Sequence, residues 1–306
     1  MKTLLTLGLC ILLMNGVAQE FSVFYLAVGS SHYQQNLDSL SEDCESFTDM
    51  PAANKSASLM AQLFEERSGG QGILLNSRRN HLLTKGEILE NLNTIVNEAK
   101  TTNRKQPLLV FYFCGHGVSE GAGWNQYLVP GNFTEKPSNI VRRSRAVNLR
   151  AMQDKLIHLA EISDILKESG MPYMLLIDAC HEGPVENFSS LDMVLRDTSV
   201  TNARELEIML SLQKDYGSNN PVVFATPPGT LTRVVQNPKT SERSLVGPLC
   251  RKMLLIENEL DSRQDLSLGN ITEMLEDPGL DPQTSEVISD YSFREESMLT
   301  FLREVD

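Results

Sequence analysis

Two short segments of the sequence carry residue types suited to nucleophilic catalysis. Cys114-Gly115-His116-Gly117 follows one apolar run, and Asp178-Ala179-Cys180-His181-Glu182-Gly183 follows another. A free thiol has a pKa of about 8.5, so only a few per cent is thiolate at neutral pH and a neighbouring base is needed. An imidazole can take the thiol proton and later protonate a leaving amine. The two segments predict that His116 and Cys180 form a catalytic pair.

Acyl transfer needs an oxyanion hole as well as a nucleophile and a base, and the glycines beside these residues fit that need. A tetrahedral intermediate needs hydrogen-bond donors aimed at its oxyanion. Glycine has no Cβ, so the main chain beside it can approach a substrate closely. The backbone N–H groups of Gly117 and Cys180 are the predicted donors.

Two other readings of the same residues stay open. Cys114, His116, Cys180 and His181 are all types that bind zinc, but common zinc patterns begin with two cysteines separated by two to four residues, and this spacing does not. The second alternative is structural, with the histidine ending a strand and the thiol simply buried. No calcium-loop spacing is found, and we predict no metal and no cofactor.

The elements that must position this pair are buried strands. Residues 107–113 and 171–177 are continuously apolar, which is typical of parallel strands covered on both faces. Residues 149–167 have apolar side chains at helical spacing and predict the crossover between them. In open parallel sheets the active site lies beyond the carboxyl ends of the strands, so neighbouring strands would bring His116 and Cys180 together.

The remaining pattern also alternates between strand and helix. Further strands are predicted at 21–28, 72–75 and 221–225, and helices at 56–66, 84–99 and 245–259. This alternation predicts an α/β fold, a doubly wound and mostly parallel sheet with helices on both faces. We expect one domain over residues 20–306, with 182–220 as a long mobile loop because it is polar and poor in strand signals.

The first residues predict an exported protein. Lys2 precedes an apolar stretch too short to span a bilayer, and small residues follow at Gly16 and Ala18. This is the pattern of a signal peptide, which we assign to residues 1–19. The expected location is therefore secreted or periplasmic, and no later segment is long enough to span a membrane.

Charge and cysteine content limit the possible partners. The net charge is −13, from 27 Lys and Arg against 40 Asp and Glu. Because binding to phosphate backbones depends on a basic face, nucleic acid is excluded as an expected partner. Five cysteines in 306 residues are too few for a disulfide scaffold. The oligomeric state does not follow from the sequence.

The runs 111–117 and 175–183 resemble the two signature blocks of caspase-like cysteine peptidases. The second block, Asp-Ala-Cys-His-Glu-Gly, is closer to that of metacaspases and their bacterial relatives than to the Gln-Ala-Cys block of animal caspases. The resemblance implies a caspase-like fold and an endopeptidase acting on proteins or peptides. It also implies a dyad of His116 and Cys180, with Gly117 and Cys180 forming the oxyanion hole.

The same resemblance implies a preference for Arg or Lys before the cleaved bond. Asp178 corresponds to the residue that lines an acidic S1 pocket, where a carboxylate can hold a guanidinium. A second acid of the family pattern is replaced by Ser56, and Asp49 is the nearby residue that could substitute for it. The alternative function is a binding module that keeps this fold without catalysis.

Overall fold

The computed structural model describes residues 22–34, 47–102, 106–119, 126–134, 154–179, 220, 222–225, 234–240, 244–259, 266–267, 271, 274–275, 277, 288–290 and 300–302. Its strands are β1 Ser22–Gly29, β2 Gln71–Asn76, β3 Pro107–Gly115, β4 Gly117–Ser119, β5 Gln126–Leu128, β6 Ile157–His158, β7 Tyr173–Ala179, β8 Val222–Phe224, β9 Val235–Gln236, β10 Leu245–Val246, β11 Leu266–Ser267, β12 Ile288–Asp290 and β13 Thr300–Leu302. Its helices are α1 Pro51–Ser68, α2 Lys85–Thr101, α3 Leu159–Glu168 and α4 Pro248–Glu259.

A six-stranded sheet in the order β12-β8-β7-β3-β1-β2 forms the centre of the fold. All neighbouring pairs are parallel except β12 with β8 at the edge. The strands β3 and β7, which contain the apolar runs 107–113 and 173–177, lie side by side in the middle, where both faces are buried. The predicted doubly wound, mostly parallel sheet is confirmed.

Helices cover both faces of this sheet and build two cores. On one face, apolar residues of α1 and α4 pack against the sheet, among them Met60, Phe64 and Met253. On the other face, α2 and α3 do the same, with Leu92 and Ile162 fully buried. Because helices on both faces shield the central strands from water, β3 and β7 can carry long apolar runs.

Local signals set several of the helix boundaries. The hydroxyl of Thr84 accepts a hydrogen bond from the backbone N–H of Glu87 at 3.1 Å and so caps the N-terminus of α2. Helix α1 ends at Ser68 and is followed by Gly69, whose φ of 58° is favourable for glycine and strained for other residues. It begins at Pro51, five residues before the predicted start, because proline suits a first turn.

Two predicted helices are shorter in the structure. The predicted crossover over 149–167 contains α3, which begins only at Leu159, and residues 157–158 form β6 instead. The predicted helix over 245–259 begins at Pro248, because the residues before it pair with Val235 and Gln236 as β10. Leu245 and Val246 are apolar, and periodicity alone does not separate a short strand from the first turn of a helix.

Three expectations fall on residues that are not described. They are the signal peptide at 1–19, nearly all of the predicted loop at 182–220, and the side chain of Cys180. Within the described ranges, no helix is both long and apolar enough to cross a bilayer.

Candidate active site

His116 lies directly after β3, at the carboxyl edge of the sheet, and its backbone is fixed on both sides. Its N–H donates to the Tyr33 hydroxyl at 2.8 Å, and its carbonyl accepts from the N–H of Val129 at 3.0 Å. The residues that follow form β4, which pairs with β5 in a small antiparallel sheet. The chain around His116 is therefore anchored to two separate sheets.

The imidazole of His116 is oriented by a backbone carbonyl. Its Nε2 lies 2.9 Å from the carbonyl oxygen of Thr48. A carbonyl can only accept, so Nε2 carries the hydrogen and donates it. In a neutral ring the lone pair is then on Nδ1, which is the atom able to take a proton from a thiol.

Aromatic side chains surround the same ring. The ring of Tyr33 meets it edge-on at 4.8 Å between centroids, and the ring of Phe47 is at 5.0 Å. Burial lowers the pKa of His116, and the hydrogen bond to Thr48 acts in the opposite direction. The net effect keeps the imidazole neutral near neutral pH, as a general base requires.

The register of the two central strands relates His116 to the predicted nucleophile. Gly115 and Ala179 are the last paired residues of β3 and β7. His116 follows Gly115, and Cys180 follows Ala179 in the sequence, although Cys180 itself lies outside the described residues. Gly117, the predicted oxyanion donor, is buried and opens β4 opposite Leu128.

Asp178 is a buried carboxylate two residues before Cys180. It is 2 % exposed, and it accepts hydrogen bonds from the Tyr112 hydroxyl at 2.9 Å and from the N–H groups of Leu249 and Cys250 at 3.3 and 3.0 Å. The last two donors belong to the first turn of α4, where the helix dipole favours an anion. The carboxylate therefore joins the end of β7 to the start of α4.

Ser56 lies close to the same place. Its hydroxyl accepts from the N–H of Gly247 at 2.9 Å and donates to the Ala52 carbonyl at 2.8 Å. A Cβ placed on Gly247 would come within 2.1 Å of an Asp178 oxygen, so the backbone there touches the carboxylate. The structure thus brings Ser56 and Asp178 together around Gly247.

Asp49 has different neighbours. One of its oxygens lies 2.9 Å from Nδ1 of His32, and the other accepts from the N–H of Tyr33 at 3.1 Å. Partial burial acts to raise the pKa of Asp49, but these hydrogen bonds and the nearby charge of Arg79 outweigh it and hold the pKa below its usual range. Asp49 directly follows Thr48, whose carbonyl orients the ring of His116.

The Asp178 carboxylate gives a prediction for stability. Burial raises its pKa to about 6, against the opposing effect of its three hydrogen bonds, whereas an unfolded Asp has a pKa of about 3.9. Between these values the folded state binds a proton that the unfolded state has lost, so the stability contributed by Asp178 falls as the pH rises through this window. The two pKa values differ by about 2, which corresponds to about 3 kcal/mol.

We therefore expect the wild type to lose about 3 kcal/mol, relative to Asp178→Asn, between pH 3 and pH 8. The measurement is the free energy of unfolding in urea at several pH values. Asp154→Asn, at an exposed position, is the control and should follow the wild type. Parallel pH profiles for wild type and Asp178→Asn would contradict the prediction.

The two cysteines with described positions are not candidates for the nucleophile. Cys114 and Cys250 are fully buried free thiols, and burial raises the pKa of both well above the usual value. A buried thiol of raised pKa is a small apolar side chain rather than a reactive one. Among residues with described positions, no group of three or more His, Cys, Asp and Glu side chains is arranged to hold a metal ion.

Sequence reasoning missed Thr48, Tyr33 and His32. Thr48 acts through its backbone carbonyl, which every residue type has, so no motif could identify it. Tyr33 lies 83 positions before His116, in a loop without a chemical signature. Only the three-dimensional packing of the loops after β1 against His116 reveals these contacts.

One protein family matches most of the chain. A family model described as Caspase domain matches residues 26–266. A solved structure described as that of pro-sf-caspase-1 is 12 % identical, with 94 % of this chain and 92 % of that chain covered, at a TM-score of 0.46. No curated protein sequence matches significantly.

Proposed function

The chain belongs to the caspase-domain family of cysteine peptidases, and on that premise we propose that it is an endopeptidase whose catalytic dyad is His116 and Cys180. The observation that carries the proposal is the register of β3 and β7. Because Gly115 and Ala179 are partners, the two proposed catalytic residues are the next residue along each of two adjacent strands. Neighbouring strands are about 4.8 Å apart, a distance that side chains can bridge.

The proposed reaction begins with transfer of the Cys180 proton to Nδ1 of His116. The thiolate attacks the carbonyl carbon of the peptide bond, and the N–H groups of Gly117 and Cys180 stabilise the oxyanion. The intermediate collapses as the imidazolium protonates the leaving amine, which leaves a thioester on Cys180. His116 then takes a proton from water, the hydroxide attacks the thioester, and the acid product departs with the thiol restored.

The proposal extends to specificity, with Asp178 as the receptor for an Arg or Lys side chain. Among the described residues, the groups that donate hydrogen bonds to Asp178 are all neutral. The pKa of Asp178 is set by burial and by these hydrogen bonds, with no contribution from a cation. A buried carboxylate without a cation is costly, so pairing with a guanidinium or ammonium would be favourable. The backbone at Gly247 must move off the carboxylate for such a side chain to enter, and Ser56 would line the vacated space.

A single comparison tests activity and specificity together. Wild type and Cys180→Ala are assayed on fluorogenic peptides that differ only in having Arg, Lys or Asp before the scissile bond. We expect turnover by the wild type alone and a preference for Arg and Lys over Asp. If the wild type cleaved none of the peptides, the result would favour a binding module with this fold and overturn the proposed function.

A further inference from the structure

A second histidine lies in the loops that hold His116 and is not part of the proposed dyad. Nδ1 of His32 is 2.9 Å from one oxygen of Asp49, and the other oxygen accepts the N–H of Tyr33. Because a carboxylate only accepts, Nδ1 of His32 is the donor. The Asp49 side chain therefore ties the loop after β1, residues 31–34, to the segment just before α1, residues 47–50.

Both of these segments contact His116 directly. Thr48, the residue before Asp49, offers its carbonyl to Nε2 of His116 at 2.9 Å. Tyr33, the residue after His32, accepts the His116 backbone N–H with its hydroxyl at 2.8 Å. A displacement of either segment would therefore be transmitted to the catalytic imidazole through one covalent link and one hydrogen bond.

We propose that His32 and Asp49 are positioning residues that hold the Thr48 carbonyl against His116. This inference rests on the proposed function, and it gives Asp49 a role other than contact with the substrate. If the Thr48 carbonyl moved away, His116 could adopt the tautomer with hydrogen on Nδ1. That tautomer presents a donor instead of a lone pair to the thiol, so proton transfer from Cys180 would be lost.

The pair is suited to this role by its surroundings. The side chains of His32 and Asp49 are 24 % and 32 % exposed, so the hydrogen bond is partly shielded from water. The positive charge of Arg79 acts on the same carboxylate and favours its ionised, accepting form. A charge-assisted hydrogen bond of this kind is stronger than one between neutral groups.

The test compares two substitutions of His32. His32→Ala removes the donor, and we expect kcat to fall about 10- to 100-fold with KM within about 2-fold, because the imidazole is misplaced and substrate contacts are not. His32→Asn keeps a donor close to the place of Nδ1 and should restore most of kcat. His81→Ala is the matched control, since His81 forms a similar pair with Glu87 at an exposed site.

A second measurement does not depend on turnover. The ¹⁵N chemical shifts of the histidine rings report the tautomer, and comparison with His116→Gln assigns the signals of His116. We expect hydrogen on Nε2 in the wild type and in His32→Asn, and a mixture of tautomers in His32→Ala. An unchanged tautomer and unchanged kcat in folded His32→Ala would overturn the positioning role, whereas an inactive wild type with the expected spectra would overturn only the proposed function.

Discussion

Replacing Cys180 by alanine should lower kcat on peptide substrates by about 10⁴-fold or more, and replacing His116 by alanine should have a comparable effect. In the proposed mechanism the two residues act as one unit, because the thiolate forms only when the imidazole accepts its proton. The effects should therefore not add. The double variant should be about as slow as Cys180→Ala alone, with the residual rate supplied by binding and the oxyanion donors.

The pH dependence of Cys180 alkylation tests the role of His116 as the base, separately from the role of Cys180 as the nucleophile. In His116→Ala the pH midpoint for reaction of Cys180 with iodoacetamide should rise toward about 8.5, the value of a free thiol. His81→Ala serves as the control because it removes a histidine from an exposed position. A His116→Ala variant that kept its activity within about tenfold would refute the assignment of His116 as the base.

The central part of the fold could be predicted because its sequence signals are local and redundant. Residues 107–113 and 171–177 are apolar at every position, so as strands they have apolar side chains on both faces, and both faces must be buried. Their order along the chain, with a helix between them, then requires a parallel pair. Since catalytic residues lie at the carboxyl ends of such strands, the approximate place of His116 followed from the same pattern.

The parts that could not be predicted depend on contacts between distant segments. The orientation of His116 comes from a backbone carbonyl 68 positions earlier. Every residue type has a backbone carbonyl, so the sequence does not identify this one. The environment of Asp178 comes from N–H groups 71 and 72 positions later, at the start of α4. The sequence predicts an acid near the nucleophile, but not that its oxygens are already occupied by three donors.

Replacing Asp178 by asparagine should remove the preference for Arg and Lys before the cleaved bond. We expect the ratio of kcat/KM for an Arg substrate to that for a Gln substrate to fall about 100-fold or more, because losing one partner of a buried charge pair costs several kcal/mol. Asparagine keeps nearly the same shape, and its oxygen can still accept from Tyr112 and Cys250. The free energy of unfolding of the variant in urea, measured at the pH of the assay, shows whether a lost preference comes from unfolding.

The same measurements on Asp49→Asn distinguish a residue that positions His116 from one that binds the substrate. If Asp49 positions His116, its substitution should lower kcat for all substrates alike and leave the ratio between Arg and Gln unchanged. If Asp49 instead supplies the second acid of the S1 pocket, the ratio should fall as it does for Asp178→Asn. An unchanged ratio in Asp178→Asn itself would mean that this carboxylate only holds the first turn of α4 against the catalytic strand, and that the substrate cation is bound elsewhere.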